Sequence, residues 1–318
     1  MAAGGLVAFP TETVYGLGAD AFNSSALARV FEAKNRPRFD PLIIHIAEEN
    51  ALDRIVDTAS LNRAARERLS LLSVRFWPGP LTLVLPKRAE VPELATAGLA
   101  AAAVRFPSHP VAQKLIRLST GAVAAPSANP FGCLSPTRAG HVRDQLGERV
   151  DCIIDGGRTE VGIESTVLDI SGERPAILRP GGTSREAIEA VIGPVELNTA
   201  SQAAPQAAPM SPGQLKSHYA PGTPLILHRN GALASLPVTS GEGRLYFSPP
   251  PFLVSGKEAG GNTRILSKSG DLCEAAANLF DMLHELDSLG LSLIRAEEAP
   301  GYGLGEAIND RLRRAGSA

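Results

Sequence analysis

The sequence FPTETVYGLGADAF, at residues 9 to 22, decides the fold of the first part of the chain, together with AKNRPRFDPLIIHI at residues 33 to 46. An apolar strand, LVAF at 6–9, leads into this string, which follows neither helical nor strand periodicity. Glycine allows a tight backbone turn and a close approach to a ligand, so Gly16 and Gly18 predict a turn beside a binding site.

Hydroxyl groups and cations gather around this predicted turn. Thr11, Thr13 and Tyr15 stand at alternate positions of an extended segment, and alternate residues share a face. Their three hydroxyls are therefore predicted to form one polar wall. Lys34 and Arg36 follow on and just beyond the next helix, where they either bind phosphate or complement the helix dipole. The whole string resembles a nucleotide-activating pocket.

Composition indicates a globular protein of two domains. The chain has 318 residues and 33.3 kDa, with 44% hydrophobic and 20% charged residues, which is enough to bury a sizeable core. A formal charge of −2 and a pI near 6.3 argue against a surface coated in positive charge. Any contact with nucleic acid would therefore need a local patch.

Cysteine usage and hydropathy point to a cytoplasmic protein. Cys133, Cys152 and Cys273 are isolated and lack CxxC spacing, which predicts buried thiols in a reducing compartment and no zinc site. No apolar run approaches the roughly 18 residues that a membrane span needs. The start, MAAGGLVAFP, lacks the charged and apolar regions of a signal peptide.

Short apolar runs bounded by glycine or proline predict the strands of the first domain. They are LVAF (6–9), PLIIHI (41–46), LTLVLP (81–86), AVRF (103–106), GAVAAP (121–126), CIIDGG (152–157), STVLDI (165–170) and AILRP (176–180). Helical patterns lie between them, such as SALARVFEAKN. A second helix is expected to begin with a capping box of Thr183 and Glu186. The fold class is therefore α/β.

A linker divides the chain into two parts. TASQAAPQAAP, at 199–209, is a low-complexity tract that reads as semi-extended. Strands PLILH, GRLYF and LSLIRA, with an amphipathic helix through LCEAAANLFDMLHEL and a last helix, then predict a smaller α/β unit. The expected division is a domain at 1–195, a linker and active-site lid at 196–221, and a domain at 222–318.

Several loops that follow predicted strands carry hydroxyls, glycines or an arginine, and loops of an α/β sheet converge on ligands at such positions. They are PLTLVLPK, AVRFPSHP, AAPSANPFGCLSPT, DGGRTEVGIESTV and ILRPGGT. Together with the opening string, this order resembles the YrdC-like threonylcarbamoyl-AMP synthases. SPGQLKSHYAP at 211–221 and GEAINDRLRRA at 305–315 resemble the linker and the C-terminal end of the long, two-domain members.

The resemblance implies an enzyme that condenses L-threonine, bicarbonate and ATP into threonylcarbamoyl-adenylate and pyrophosphate. The fold it implies is a twisted mixed sheet with flanking helices, followed by a smaller Rossmann-like α/β domain. Mg²⁺ is expected with ATP, and no metal-ligating side chains are assigned. Its product is expected to pass to a threonylcarbamoyl transferase complex that modifies tRNA at position 37; direct tRNA binding stays open.

The resemblance also implies the site residues. Lys34 and Arg36, the KxR motif, are expected to act on the ATP phosphates, and the threonine pocket is expected to use Thr13, His45, Arg105 and Ser165. The planar fork of Arg105 suits the amino-acid carboxylate, since it binds two oxygens at once. Further positions implied for ATP are Ser127 and Asn129, the SxN motif, with Ser135, Arg179 and Tyr219.

Purely structural roles remain as alternatives for several of these residues. His45 follows an apolar run and resembles a core histidine, while Arg105 and Arg179 are also candidates for structural ion pairs. Asp40 and Ala125 depart from the family's usual asparagine and threonine, and each is expected to weaken binding modestly.

Two other functions stay open at this stage. One is a YrdC-like RNA-binding module without synthase activity. The other is carbamoyl transfer of the hydrogenase-maturation type, which is found in much larger chains.

Overall fold

The computed structural model describes residues 1–198, 218–251 and 260–317. In the first domain, strands form one twisted mixed sheet in the order β10-β9-β8-β4-β5-β3-β6-β2-β1-β7. The strands are β1 (Val7–Phe9), β2 (Gly16–Asp20), β3 (Ile43–Ile46), β4 (Leu81–Pro86), β5 (Ala101–Arg105), β6 (Ala122–Ala124), β7 (Cys152–Ile153), β8 (Thr166–Asp169), β9 (Ala176–Arg179) and β10 (Glu196–Leu197). All eight predicted runs of this domain contain a strand.

Helices flank this sheet. They are α1 (Ser24–Lys34), α2 (Arg63–Phe76), α3 (Glu93–Thr96), α4 (Pro110–Leu118), α5 (Ala139–Leu146) and α6 (Arg185–Ile192). Helix α1 begins where the Asn23 side chain accepts hydrogen bonds from the N–H groups of Ser25 and Ala26, and it ends at Asn35, whose φ of 52° is left-handed. The expected capping box on α6 is wrong by one residue. The cap is Ser184, which accepts from Ala187 N.

The register of the central strands brings several of the predicted site residues together. Strand β3 pairs in parallel with β5, which sets His45 beside Arg105, and β4 pairs antiparallel with β5, which sets Thr82 opposite Arg105. Strand β8 pairs in parallel with β4, so Thr166 lies next to Leu81. Polar residues at the ends of these strands therefore meet at one edge of the sheet.

The glycines of the opening string make a strand, and the prediction of a tight turn there is wrong. Gly18 lies in β2, where an added Cβ would come within 2.7 Å of Phe9 Cε1 and 2.8 Å of Val123 Cγ1. The glycine is required because neighbouring side chains pack directly over the strand, and a methyl group there would overpack the core.

The second domain has its own sheet of parallel strands, in the order β11-β14-β12-β13. The strands are β11 (Leu225–His228), β12 (Glu242–Tyr246), β13 (Thr263–Ile265) and β14 (Leu293–Glu297), and the helices described there are α7 (Leu272–Asp287) and α8 (Gly305–Ala315). Asp271 caps α7 by accepting from Glu274 N at 2.7 Å. A parallel sheet with packed helices agrees with the expected α/β unit.

The two domains share buried apolar surface. Val14, Leu134 and Ile163 of the first domain belong to the same hydrophobic cluster as Leu279 and Phe280 on α7. Because this cluster is continuous, the second domain is packed against the first and not merely tethered to it. Most of the predicted lid, residues 199–217, lies outside the described residues. Residues 196 and 197 at its predicted start form β10.

The prediction of buried thiols is wrong for two of the three cysteines. Cys133 is half-buried, whereas Cys152 and Cys273 are exposed. Within the described ranges, none of the helices combines the length and the apolar character needed to cross a membrane.

Candidate functional site

One cleft collects most of the polar residues that the sequence singles out. It lies at the edge of the sheet where β3, β5 and β9 end and β8 begins, and its space, counted together with the adjoining open solvent, is about 520 Å³. Its walls are built by the opening string, the loop after β6, the loop before β8 and the described residues at the end of the linker. The lining residues are Thr11, Thr13, Val14, Gly16, Arg36, Ile43, His45, Arg105, Ala125, Pro126, Ser127, Glu164, Ser165, Arg179, His218 and Tyr219.

Arg105 sits at one end of the cleft in a fixed orientation. Its Nη2 lies 2.7 Å from Glu12 Oε1, its Nη1 donates to Thr13 Oγ1 at 2.9 Å, and its Nε donates to the Gly79 carbonyl at 3.2 Å. Both charged side chains are buried, at 4% and 5% exposure. A guanidinium held in this way presents a pre-organised positive charge to an anionic ligand.

His45 lies beside Arg105 and is uncharged at neutral pH. Burial, and then the positive charge of Arg105, lower the pKa of His45 to about 3. Its Nδ1 lies 3.1 Å from the Ile43 carbonyl oxygen, which can only accept a hydrogen bond. The ring can therefore donate to this carbonyl when Nδ1 carries the proton.

Ser165 and Arg179 form the next section of the wall. Ser165 Oγ lies 2.8 Å from Thr82 Oγ1, and Arg179 Nη2 donates to the Ser165 carbonyl at 2.9 Å and to its Oγ at 3.2 Å. The arginine thereby fixes the serine. Its own pKa is lowered by burial, although the group stays cationic at neutral pH.

The KxR cations divide into one that lines the cleft and one that lies behind it. Arg36 lines the cleft, with its Nη2 2.9 Å from Asp40 Oδ2 and 2.9 Å from the Pro41 carbonyl oxygen. Burial raises the pKa of the Asp40 carboxyl, and Arg36 acts against that rise. The unusual Asp40 is therefore paired with Arg36, which weakens the positive charge that the cleft receives.

Lys34 is buried behind the cleft, and its Nζ donates to the carbonyls of Ser127 and Asn129. Burial, followed by the charge of Arg36, holds the pKa of Lys34 well below its usual value. The lysine thus fixes the backbone of the SxN loop. Its predicted contact with phosphate stays a prediction.

Of the eleven predicted site residues, eight line the cleft and three lie just behind it. The three are Lys34, Asn129 and Ser135. Asn129 Nδ2 donates to the carbonyls of Pro130 and Cys133, both at 2.9 Å, and Ser135 Oγ donates to Glu164. The eight on the wall are Thr13, Arg36, His45, Arg105, Ser127, Ser165, Arg179 and Tyr219.

The predicted wall of three hydroxyls is wrong for Tyr15. Thr11 and Thr13 line the cleft and their hydroxyl oxygens lie 2.8 Å apart, but the Tyr15 hydroxyl donates to the Gly157 carbonyl at 2.7 Å. Residues 10 to 15 do not form a regular strand, so alternate side chains do not share a face. Thr11 instead turns back and donates to the Val14 carbonyl at 2.7 Å.

Four further residues around the cleft were not identified from the sequence as site residues: Glu12, Glu164, His218 and Arg311. Glu12 and Glu164 stand inside the quoted motifs, but sequence reasoning gave them no role. His218 precedes Tyr219 in the linker signature. Arg311 stands inside the quoted GEAINDRLRRA segment, but its contact with Glu164, 147 positions away, has no signal in the sequence.

A mixed sheet whose strand ends carry a basic, hydroxyl-lined cleft, with a parallel α/β domain packed beside it, defines a two-domain YrdC-like protein. Comparison with known families agrees. Residues 1–181 match the family Sua5_yciO_yrdC, described as telomere recombination, and residues 183–317 match Sua5_C, described as the threonylcarbamoyl-AMP synthase C-terminal domain. The chain belongs to the two-domain threonylcarbamoyl-AMP synthase family.

Individual relatives cover almost the whole chain. It is 42% identical to the threonylcarbamoyl-AMP synthase of Pyrococcus abyssi, over 98% of this chain and 90% of that protein. It is also 42% identical to the enzyme of the same name from Bacillus subtilis, over 98% of this chain and 89% of that protein. The crystal structure of P. abyssi Sua5 complexed with L-threonine superimposes with a TM-score of 0.87 at 41% identity, over 99% of this chain and 91% of that one.

These relatives favour a synthase over an RNA-binding module, because their similarity covers both domains and their names describe an enzyme. The chain is accordingly an enzyme of the nucleotidyltransferase kind.

Proposed function

We propose that the protein condenses L-threonine, bicarbonate and ATP into threonylcarbamoyl-adenylate and pyrophosphate, for the modification of tRNA at position 37. The observation that carries this proposal is that one cleft gathers both sets of residues. One of its ends presents Arg105 among hydroxyls, and the other presents Arg36 and Arg179 beside Tyr219. An amino acid and a nucleotide can therefore meet in one enclosed space.

Threonine is assigned to the end that holds Arg105. The guanidinium attracts the carboxylate, while Thr13, His45 and Ser165 offer hydrogen-bonding groups around it. His45 is neutral, so it offers a hydrogen-bonding ring without adding a charge that would compete with Arg105. The P. abyssi structure complexed with L-threonine supports this assignment at the level of the fold and of 41% identity.

ATP is assigned to the other end. Arg36 and Arg179 neutralise phosphate charge, Ser127 offers a hydroxyl and Tyr219 covers the nucleotide. Lys34, Asn129 and Ser135 support this end from behind. Transfer of a nucleotidyl group depends mainly on positioning and charge neutralisation, so cations and hydroxyl donors meet its chemical demands without a nucleophilic residue.

Mg²⁺ fits this site as a partner of the nucleotide. The described part of the chain contains no cluster of three or more His, Cys, Asp or Glu side chains that suits a metal. The cleft carboxylates Glu12 and Glu164 are neutralised by arginines. A hard cation of this kind usually keeps water and phosphate ligands, so the triphosphate oxygens would hold it and it would supply further charge neutralisation.

The exclusion of water is a further requirement, because the carbamoylated amino acid and its adenylate are both labile to water. His218 and Tyr219 are buried at 5% and 1% exposure on the wall of the cleft. They lie inside the predicted lid at 196–221, whose closure stays a proposal. Transfer of the product to a threonylcarbamoyl transferase complex, and location in the cytoplasm, belong to the same proposal.

Pyrophosphate release tests the proposed function directly. The protein is incubated with ATP and Mg²⁺, with and without threonine and bicarbonate, and both products are measured. Release is expected only when threonine and bicarbonate are both present. Serine is expected to be a poor substrate, although a single methyl group contributes only about 1 to 3 kcal/mol of discrimination. Equal release without threonine would refute the proposal.

Arg36→Ala tests the assignment of the phosphate end, with Arg38→Ala as the matched control. Arg36 is buried on the cleft wall, and Arg38 is an exposed residue of the same KNRPR string. Loss of a charge-assisted phosphate contact is expected to reduce kcat/KM for ATP by the equivalent of about 1.5 to 3 kcal/mol. The Arg38 variant should keep wild-type kinetics, and equal losses in the two variants would contradict the assignment.

A further inference from the structure

We propose that Arg311, in the second domain, is a positioning residue for the nucleotide end of the cleft, where it holds Glu164 and Tyr219 in place. The proposal rests on the function proposed above. It extends that function by making the second domain part of the catalytic site. Arg311 lies on α8, and its side chain is fully buried at 0% exposure.

The first contact of Arg311 reaches the wall of the cleft. Its Nε donates to Glu164 Oε2 at 2.8 Å, and Glu164 lines the cleft. The other oxygen of the same carboxylate accepts the Ser135 hydroxyl. One carboxylate of the first domain thus joins Arg311 to Ser135, a residue assigned to ATP.

The second contact reaches Tyr219, another residue of the cleft wall. The Arg311 guanidinium lies over the Tyr219 ring, with its central carbon 5.0 Å from the ring centroid. Tyr219 has a left-handed φ of 62°, which is unusual for a residue with a large side chain and requires support from the surrounding structure. A buried cation above its ring provides part of that support.

Arg311 is itself held by its own helix. Its Nη1 donates to Asp310 Oδ2 at 2.7 Å, and Asp310 Oδ1 accepts from Arg314 Nε at 2.9 Å. The remaining nitrogen, Nη2, is buried and has no hydrogen-bond partner among the described residues. Two of its nitrogens are thus fixed by carboxylates, which leaves the guanidinium in one orientation against Glu164 and the Tyr219 ring.

The charges around Glu164 make its titration a readout of this contact. Burial alone would raise the pKa of the Glu164 carboxyl, but Arg311 and Arg179, with hydrogen bonds from Ser135 and Arg311, bring it below its usual value. Removal of Arg311 therefore raises that pKa. The low-pH limb of kcat/KM for ATP should then move to higher pH.

The experiment compares Arg311→Met with Arg313→Met in the full-length protein. Arg313 stands on the same helix, but its side chain is 61% exposed. Its Nη2 lies 2.8 Å from Glu298 Oε1, and neither residue lines the cleft. Arg311→Met is expected to raise KM for ATP by roughly 10- to 100-fold, the loss expected when a charge-assisted contact disappears. KM for threonine should change little, and Arg313→Met should match the wild type in both constants.

Two further variants keep the test decisive if Arg311→Met does not fold. Arg311→Lys keeps the charge but loses the planar fork, so it should restore activity only in part. The double variant Arg311→Met/Glu164→Gln leaves no buried unpaired charge, yet its KM for ATP should stay high because Tyr219 is no longer held. A wild-type KM for ATP in the double variant, or an unchanged pH profile in Arg311→Met, would overturn the proposal.

Failure of this proposal is distinguishable from failure of the proposed function. If the wild-type protein releases no pyrophosphate with all three substrates, the function is wrong. If the wild type is active and the Arg311 variants behave like Arg313→Met, only the role of Arg311 is wrong.

Discussion

The two ends of the cleft are built in different ways. The end assigned to threonine is supplied by the first domain alone, where Glu12 and Arg105 form a buried pair beside His45 on neighbouring strands. The end assigned to ATP depends on both domains, since Glu164 is held by Arg311. The sheet of the first domain thus forms the threonine end by itself, whereas the nucleotide end also receives a contact from the second domain.

The largest effect is expected from breaking the pair at the threonine end. Arg105→Met leaves Glu12 as an unpaired buried carboxylate, which typically costs about 3 to 5 kcal/mol of stability. The variant should also lose saturation by threonine. Urea denaturation and steady-state kinetics measure the two effects.

Arg117→Met is the control for this change. Arg117 is exposed and lies 3.9 Å from Glu48, so its loss should change stability by no more than about 0.5 kcal/mol. A wild-type KM for threonine in Arg105→Met would show that this end does not bind the amino acid.

A smaller effect is expected from separating the domains at the nucleotide end. Gly162 has a φ of +75°, and an added Cβ would lie 2.5 Å from both Ala276 O and Ala277 Cα of α7. Gly162→Ala should cost about 1 to 3 kcal/mol and raise KM for ATP, while KM for threonine stays near the wild-type value. Thermal denaturation and kinetics with each substrate varied provide the measurements.

Gly140→Ala is the matched change inside the first domain. The nearest atom to its added Cβ is Arg143 Nη2, at 3.8 Å, and the position lies in α5. This variant should be neutral or slightly more stable. If Gly162→Ala raised both KM values equally, the two ends would not be built as differently as the structure indicates.

Acid should weaken the threonine end through His45. The pKa of His45 is lowered to about 3, so the unfolded chain binds its proton more readily and stability falls as pH drops from about 6.5 toward 3. Between pH 7 and pH 5, His45 should account for about 2 kcal/mol of lost stability. The pKa of Glu164 is lowered because neighbouring arginines favour its charged form. The stability that this carboxylate contributes is lost only as the pH falls below about 4.5.

His45→Gln isolates this contribution. Urea denaturation at pH 7 and pH 5 should show a loss smaller by about 2 kcal/mol in the variant than in the wild type. Other buried histidines, such as His218, titrate in both proteins and cancel in the difference. Identical losses would mean that His45 is already charged in the folded protein.

The sequence determined the strands and the composition of the site. Apolar runs between glycines and prolines locate a strand because local hydrophobic pattern is a property of neighbouring residues. Of the eight predicted residues on the cleft wall, His45, Arg105 and Arg179 lie in these strands and the other five lie in connecting segments, since strand ends in an α/β sheet lie at a common edge. The family resemblance also agrees with matches that cover both domains.

Tertiary structure decided which groups touch each other. The GLG segment became a strand because Phe9 and Val123 pack over Gly18, and the Tyr15 hydroxyl turned toward Gly157 because residues 10 to 15 leave strand geometry. The pairing of Glu164 with Arg311 joins positions 147 residues apart. Local patterns carry no information about such a contact, because only the packing of the second domain against the first brings the two charges together.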